Sequence, residues 1–387
     1  MGKRLAIIGA SYLQLPLVLK AREMGLETLC FAWEEGAVCK NTCDAFFPVS
    51  ITEKERIAEI SRRQGICGVA TIASDVAVPT VCHVAQCLGL NGNTERSALL
   101  STNKNAMRAA FRAAGVSSPP SEKVCAADEA LALADKMGWP LIVKPADRSG
   151  SMGVARVEDR GSLQKAVLQA LSDSLCGEAV VERFVENARE ISIEGISSGG
   201  VYHLLAVTDK VTTGAPHYVE LAHHQPSNLP PTVLARAIEQ AERGVRALEI
   251  REGATHSELM VTPDGKVFVT EIGARMGGDF IGSDLVFLST GYDFLRGVVE
   301  VAIGEFSPPV KTRNCHAGVW FYSSDTPLAG DVIRHAPLHP GIVRAEITDP
   351  VLRPLTRSAD RSGYFIYQSD RRLDLPDFST TREVQNP

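Results

Sequence analysis

Residues 4–8 (Arg-Leu-Ala-Ile-Ile) make a short apolar run that ends at Gly9, the pattern of a buried strand entering a turn. A helical stretch to Met24 follows, then a strand over 27–33, a helix over 53–64, a strand over 68–72 and a helix over 76–88. Strands alternating with helices predict a parallel, doubly wound α/β sheet across about residues 1–98. Ser101, Thr102 and Asn103 can cap a helix, whose apolar face is Ala106, Met107, Ala110, Phe111 and Ala114 and whose stop is Gly115. The run Ser117-Ser118-Pro119-Pro120 reads as a linker. Beyond it the pattern gives a helix over 128–137, a strand over 141–144, a Gly-rich loop, a helix over 162–172 and a strand over 179–185.

A period of two then takes over. Segments 189–197 and 201–211 alternate about Gly199-Gly200 as a hairpin. A loop with Pro226, Pro230 and Pro231 leads to a helix over 233–248, a second hairpin spans 256–272, and a helix lies near 291–303. From about 311 onward short strands and turns predict a small, mostly β C-terminal cap. The whole reads as α/β followed by α+β. The expected division is a Rossmann-like front domain (1–100), a body (101–310) with a mobile lid at about 120–187, and the cap (311–387).

Composition narrows the function. The 387 residues carry a net charge of −6, so no general basic surface invites nucleic acid. No apolar run approaches the ~20 residues of a membrane span, and 5–10 is too short for a signal peptide's core. Nine Cys are scattered through apolar stretches without a Cys-x-x-Cys pair, as in reduced, buried thiols of a cytoplasmic protein. A zinc site built on Cys39 and Cys43 is disfavoured by the same spacing. The turn Gly9-Ala10-Ser11 lacks the further glycines of a dinucleotide fingerprint and reads as a tight strand-to-helix turn.

Three segments carry candidate chemistry. In Lys144-Pro145-Ala146-Asp147-Arg148-Ser149-Gly150-Ser151-Met152-Gly153-Val154, a strand delivers a Lys into a loop of small residues. Such a loop brings backbone N–H groups close to an anion and the Lys adds a point charge, although a plain surface hairpin fits equally well. In the second hairpin, taking Asp264-Gly265 as the tight turn makes Glu258 and Glu271 direct cross-strand partners, with Cβ atoms about 5 Å apart. Two carboxylates so placed call for a cation between them, and oxygen donors without Cys or His suit magnesium shared with phosphates. Next come Gly273-Ala274-Arg275-Met276-Gly277-Gly278-Asp279, where bare backbone and one Arg can hold a carboxylate and a transferring phosphoryl group. Asp279 and Glu271 are alternative, purely structural partners for Arg275. Lys104 sits in the first turn of its helix, where the dipole disfavours a cation unless a phosphate is near.

In this order, the front domain, Lys104, Lys144 with its loop, Glu182-Arg183-Phe184-Val185, Glu190, then Glu258 and Glu271 with Arg275 resemble the ATP-grasp superfamily across nearly the whole chain. The resemblance implies an ATP-grasp fold and ATP with Mg²⁺ as cofactors. It implies phosphate contacts from Lys104, Lys144 and the loop Ser149, Gly150, Ser151, Met152 and Gly153. It implies an adenine hinge at Glu182, Phe184 and Val185, ribose at Glu190, and magnesium at Glu258 and Glu271. Within the superfamily, Thr255-His256-Ser257-Glu258, Glu271 to Gly278 and the loop His223 to Pro230 look most like the L-amino-acid ligase branch. That likeness implies an ADP-forming carboxylate–amine ligase acting on small molecules, a homodimer being compatible with it. Arg275 would be catalytic and, with Gly277 and Gly278, would face the substrate, with His223, His224 or His256 lining its pocket. Gly273 stands where many relatives have Asn, which would leave a second magnesium one protein ligand short. The alternatives are a purine-branch enzyme, which would want a phosphate site in the front domain, and a regulatory nucleotide binder, whose mark would be a lost metal Glu.

Overall fold

The computed structural model describes residues 2–150 and 152–379. Three sheets organise the chain. The first is parallel, in the order β3 (Ala45–Pro48), β2 (Glu27–Ala32), β1 (Arg4–Ile8), β4 (Gly68–Ala70). Helices α1 (Leu15–Glu23), α2 (Lys54–Gln64) and α3 (Val78–Leu88) cover it. The apolar run Leu5–Ile8 is fully buried because successive residues supply two different cores, one on each face. Sequence periodicity misses β3 and also α4 (Glu95–Thr102), a short helix running directly into α5 (Lys104–Ala113). Asn103 ends the first and caps the second, its side chain accepting from the Ala106 N–H at 3.0 Å.

The second sheet is antiparallel and self-contained, in the order β5 (Ser121–Val124), β8 (Ala179–Arg183), β6 (Leu141–Pro145), β7 (Ala155–Val157). With α6 (Ala127–Met137) and α7 (Arg160–Asp173) it closes its own core around Val124, Leu141, Val143, Leu163, Val167 and Val181.

The third sheet has eight antiparallel strands. Its order is β13 (Val267–Gly273), β12 (Gly253–Val261), β9 (Arg189–Ser198), β10 (Val201–Thr212), β11 (Glu220–Gln225), β14 (His316–Tyr322), β16 (Gly363–Ser369), β15 (Ile342–Ile347). The C-terminal strands therefore form no separate sheet; β14 pairs directly with β11 and carries the same sheet to its far edge. Alternation along these strands splits their faces. Ile191, Ile193, Leu259, Val269 and Ile272 pack with α5 and with α8 (Pro231–Ala247). The close approach of α8 needs Gly244, where a Cβ would meet Ile272 Cδ1 at 2.5 Å. The opposite face carries Glu190, Ser192, Glu194, His256 and Glu258, and it fronts the cleft.

One sequence expectation changes at the β12–β13 turn. Asp264-Gly265 is not a two-residue turn; Val261 pairs with Val267, and residues 262–266 form the loop. A bulge between Glu258 and Leu259 then shifts the register by one. Glu258 and Glu271 still face each other, because the bulge restores the pairing that the longer loop removes.

Candidate active site

A cavity of about 500 Å³ lies where the three sheets meet. Lys104, Lys144, Ser149, Gly150, Glu182, Phe184, Val185, Glu190, His223, His256, Glu258, Glu271, Arg275 and Gly278 all line it. These positions are separated by up to 174 residues in sequence, and the fold brings them to one wall system. Met152, Gly153, Gly277 and His224 are not lining residues, and Ser151 lies outside the described residues.

At one end sit Lys104, Lys144 and Arg108. Strand β6 delivers Lys144, whose Nζ is 3.0 Å from Glu182 on the neighbouring β8. Arg108 of α5 contacts the other oxygen of Glu182 at 2.6 Å, and its Nε and Nη1 have no hydrogen-bond partner. Burial lowers the Lys144 pKa below its ordinary value; Glu182 opposes this, and Arg108 and Lys104 add to it. Glu182 is resisted by burial yet held below the usual range by Arg108 and Lys144. Its carboxylate is thus the counter-charge of this end. Lys104 donates to the Arg148 carbonyl at 2.6 Å and to Glu271 at 3.2 Å. In the loop after β6, Gly150 and Gly153 have φ of 65° and 68°. Gly153 packs inward, where a Cβ would meet Pro145 and Asp173 at 2.8 Å, while Met152 points to solvent.

At the other end carboxylates dominate. Lys210 of β10, which sequence reasoning missed, donates to Glu190 at 2.6 Å and to Glu258 at 2.5 Å. Burial pushes its pKa down, but Glu190 and Glu258 more than reverse this and hold it well above 10.5. Burial raises Glu190, with Lys210 opposing and the Glu258 charge assisting. His256 lies between Glu194 at 2.7 Å and Glu258 at 3.3 Å. Burial opposes its charge, yet Glu194 and Glu258 raise it to about 9. Gly277 packs on this group, since a Cβ there would meet His256 Nδ1 at 2.7 Å. Glu194 keeps one fully buried oxygen without a partner.

Arg275 lines the same cavity, within electrostatic reach of Glu258 and Glu271. Its partner is Asp75 at 2.8 Å, from the front domain, and not Asp279 or Glu271. Its Nε is buried and unpartnered. Gly273 has a physical reason: a Cβ would sit 2.8 Å from Asp75 Oδ1 and 3.2 Å from the Arg275 guanidinium. The Asp75–Arg275 pair occupies the space a side chain at 273 would take. Asp279 pairs instead with Arg361 through two 2.8 Å bonds, and the Arg361 guanidinium lies 3.8 Å over Phe321. Ala73, Tyr218 and Asp279 line the cavity with φ of 54°, 51° and 50°, a conformation that non-glycine residues rarely hold.

The adjacent histidines of β11 separate. His223 faces the cavity, 3.7 Å from Asp279, with both ring nitrogens unbonded. His224 points through the opposite face against Trp320 and bonds Tyr367 at 2.8 Å, so it does not line the pocket. Burial, Arg372 and His223 push its pKa down to about 2.

A magnesium ion fits the donor chemistry at Glu258 and Glu271. Both are oxygen donors on one face, and each now meets a lysine ammonium. Among the described residues no group of three or more His, Cys, Asp or Glu makes a complete cage, so other oxygens would be needed. No helix of the described residues is long and apolar enough to cross a membrane.

Known proteins resemble the chain in sequence and in fold. Residues 137–284 match the family model of the ATP-grasp domain. Alanine–anticapsin ligase of Bacillus subtilis is 26% identical over 249 residues, 58% of this chain and 52% of the relative. The chain thus spans about half the length of the curated relatives it matches. The L-amino acid ligase of Bacillus licheniformis superposes with a TM-score of 0.77 at 24% identity, covering 95% of this chain and 94% of the other. N5-carboxyaminoimidazole synthetase of Staphylococcus aureus complexed with ADP gives 0.78 at 16% identity, covering 98% and 95%. These two establish the fold alone. Residues 137–284 thus match the ATP-grasp domain, and the chain shares the fold of these solved structures.

Proposed function

We propose that the chain is an ADP-forming ligase that uses ATP to activate the carboxylate of an amino acid or small acid and joins it to an amine. The observation that carries this reading is a single cavity lined by a cation-rich group, a carboxylate-rich group and an arginine near the carboxylates. The relatives named as amino-acid-joining ligases support it.

Lys104 and Lys144 would hold the inner phosphates, with the Arg108 donors extending that positive end. The adenine would lie against Phe184 and Val185, using backbone groups, because the Glu182 carboxylate already answers two cations. Glu190 would take the ribose. Glu258 and Glu271 would hold magnesium, which when bound neutralises phosphate charge and orients it. Arg275, fixed by Asp75, would steady the substrate carboxyl and the phosphoryl group moving onto it. The amine then attacks the acyl phosphate and phosphate leaves, so the protein need supply no covalent nucleophile. The self-contained core of the β5–β8–β6–β7 sheet suits a lid, residues 120–187, that closes as a unit and excludes water. The front domain, body and C-terminal divisions at about 100 and 310 belong to the same proposal.

The test is a pairwise screen of amino acids and small acids for phosphate release from ATP. Release that requires one acid and one amine together is the expected result. Release dependent on bicarbonate and a ribonucleotide amine would replace this reading with a purine-branch one.

A further inference from the structure

Away from the cavity, one exposed thiol carries its own base. Cys87 lies near the C-terminal end of α3, and its Sγ is 3.5 Å from Nε2 of His83, one turn earlier on the same helix. On the other side of the ring, Nδ1 meets the carboxylate of Glu95, the first residue of α4. Glu95 is itself fixed, with Lys54 of α2 at 3.6 Å. A carboxylate can only accept, so Nδ1 carries the hydrogen and Nε2 turns its lone pair toward the S–H. A nucleophile, a base in hydrogen-bond reach and a third group orienting the base is the arrangement that activates thiols.

The other exposed cysteines lack it. Cys176 lies beside Asp147, and burial together with that carboxylate pushes its thiol up. Cys125 is exposed with no base against its sulfur among the described contacts. The charged groups facing the Cys87–His83 pair are Glu95 from α4 and, from α2, Lys54 and Arg62, the last donating to the Cys87 carbonyl at 3.2 Å. The C-terminal carbonyls of α3 oppose a standing thiolate, so activation comes from proton transfer at the moment of attack.

We propose that Cys87 is a covalent modification site that exchanges with a small-molecule disulfide, with His83 as its base and Glu95 as the residue positioning that base. The Cys87 proton passes to His83 Nε2 while Sγ attacks one sulfur of the disulfide. The new S–S bond forms as the old one breaks, and the departing thiolate takes the proton from the imidazolium. Cys87 is oxidised and the leaving sulfur reduced, so no further oxidant enters. The cavity residues take no part.

The experiment treats the full chain with glutathione disulfide and follows each cysteine by peptide mass mapping across pH 5.5–8.5. Cys87 should react at least ~10-fold faster than Cys125 and Cys176 at pH 7, and His83→Gln should remove most of that advantage. Glu95→Gln should move the midpoint of the Cys87 pH–rate profile downward, because the carboxylate favours the imidazolium. The wild-type chain alone tests the base if a variant does not fold: Cys87 should exchange faster than Cys125 throughout the pH range. Equal rates at Cys87 and Cys125, or an unchanged Cys87 rate in folded His83→Gln, overturns the proposal.

Discussion

Lys144 and Lys210 are the same residue type, both buried and both lining one cavity, yet their acidities move in opposite directions. Lys144 has one carboxylate partner, Glu182, and shares it with Arg108 while Lys104 stands nearby. Lys210 has two, Glu190 and Glu258, with Glu220 behind them. Burial acts against the charge in both cases, so neighbours decide the sign. One end of the cavity is short of negative charge and the other short of positive charge. A polyphosphate carrying a divalent cation would complete both, which is the polarity the proposed ATP site requires.

The strongest way to break this contrast is to remove the lysine shared by Glu190 and Glu258. Lys210→Met leaves Glu190 without its cation and Glu258 with His256 as its remaining cationic contact, which should cost about 3–5 kcal/mol in denaturant unfolding. Millimolar magnesium should restore part of the loss if the carboxylates take the ion. A loss below about 1 kcal/mol would mean the charges there are independent. Next, Glu271→Gln should lower turnover ~100-fold or more while leaving the fold intact, since it removes a charged oxygen from the proposed metal. Near wild-type activity at millimolar magnesium would end the metal assignment.

The middle of the contrast is sharpened by a pair of variants. Lys144→Ala should weaken ATP binding about 10-fold in calorimetry, whereas Arg275→Ala should lower turnover strongly with little change in binding. Equal effects on binding would dissolve the distinction between the positive end and the arginine.

His224 is the limiting case, a buried base near Arg372, His223 and His316 with no carboxylate among the causes of its shift. With a folded pKa of about 2 against 6.5 unfolded, only the unfolded chain takes up this proton between those values. Stability is therefore lost as pH falls below 6.5, by about 1.4 kcal/mol per pH unit from this group. His224→Gln should reduce the acid slope of unfolding free energy by that amount, and an unchanged slope would refute its neutral burial.

Local patterns announced much of this. The strand–helix alternation of residues 1–98, the hairpin about Gly199-Gly200 and the approach of Lys144 into a Gly-rich loop follow from short-range periodicity and turn chemistry. Glu258 facing Glu271 was readable too, but the bulge that sets the register was not, because a bulge leaves no periodic mark. Lys210, Arg108, Asp75 and Arg361 were missed for a different reason. Each is defined by a partner far along the chain: Asp75 for Arg275, Asp279 for Arg361, Glu182 for Arg108. One signal was available, since Asp209-Lys210 puts two charges in a strand just after the apolar run Leu204–Val207, and a charge there needs a buried partner. His223 and His224 are indistinguishable by type, and only strand alternation separates the cavity-facing ring from the one in the core.

The central claim is that this polarity serves phosphoryl transfer to a carboxylate. The direct measurement gives the chain ATP, magnesium and a candidate acid with hydroxylamine in place of the amine, and identifies both products. The account predicts an acyl hydroxamate with ADP and phosphate formed in equal proportion. AMP and pyrophosphate would contradict it, whatever acid proves to be the substrate.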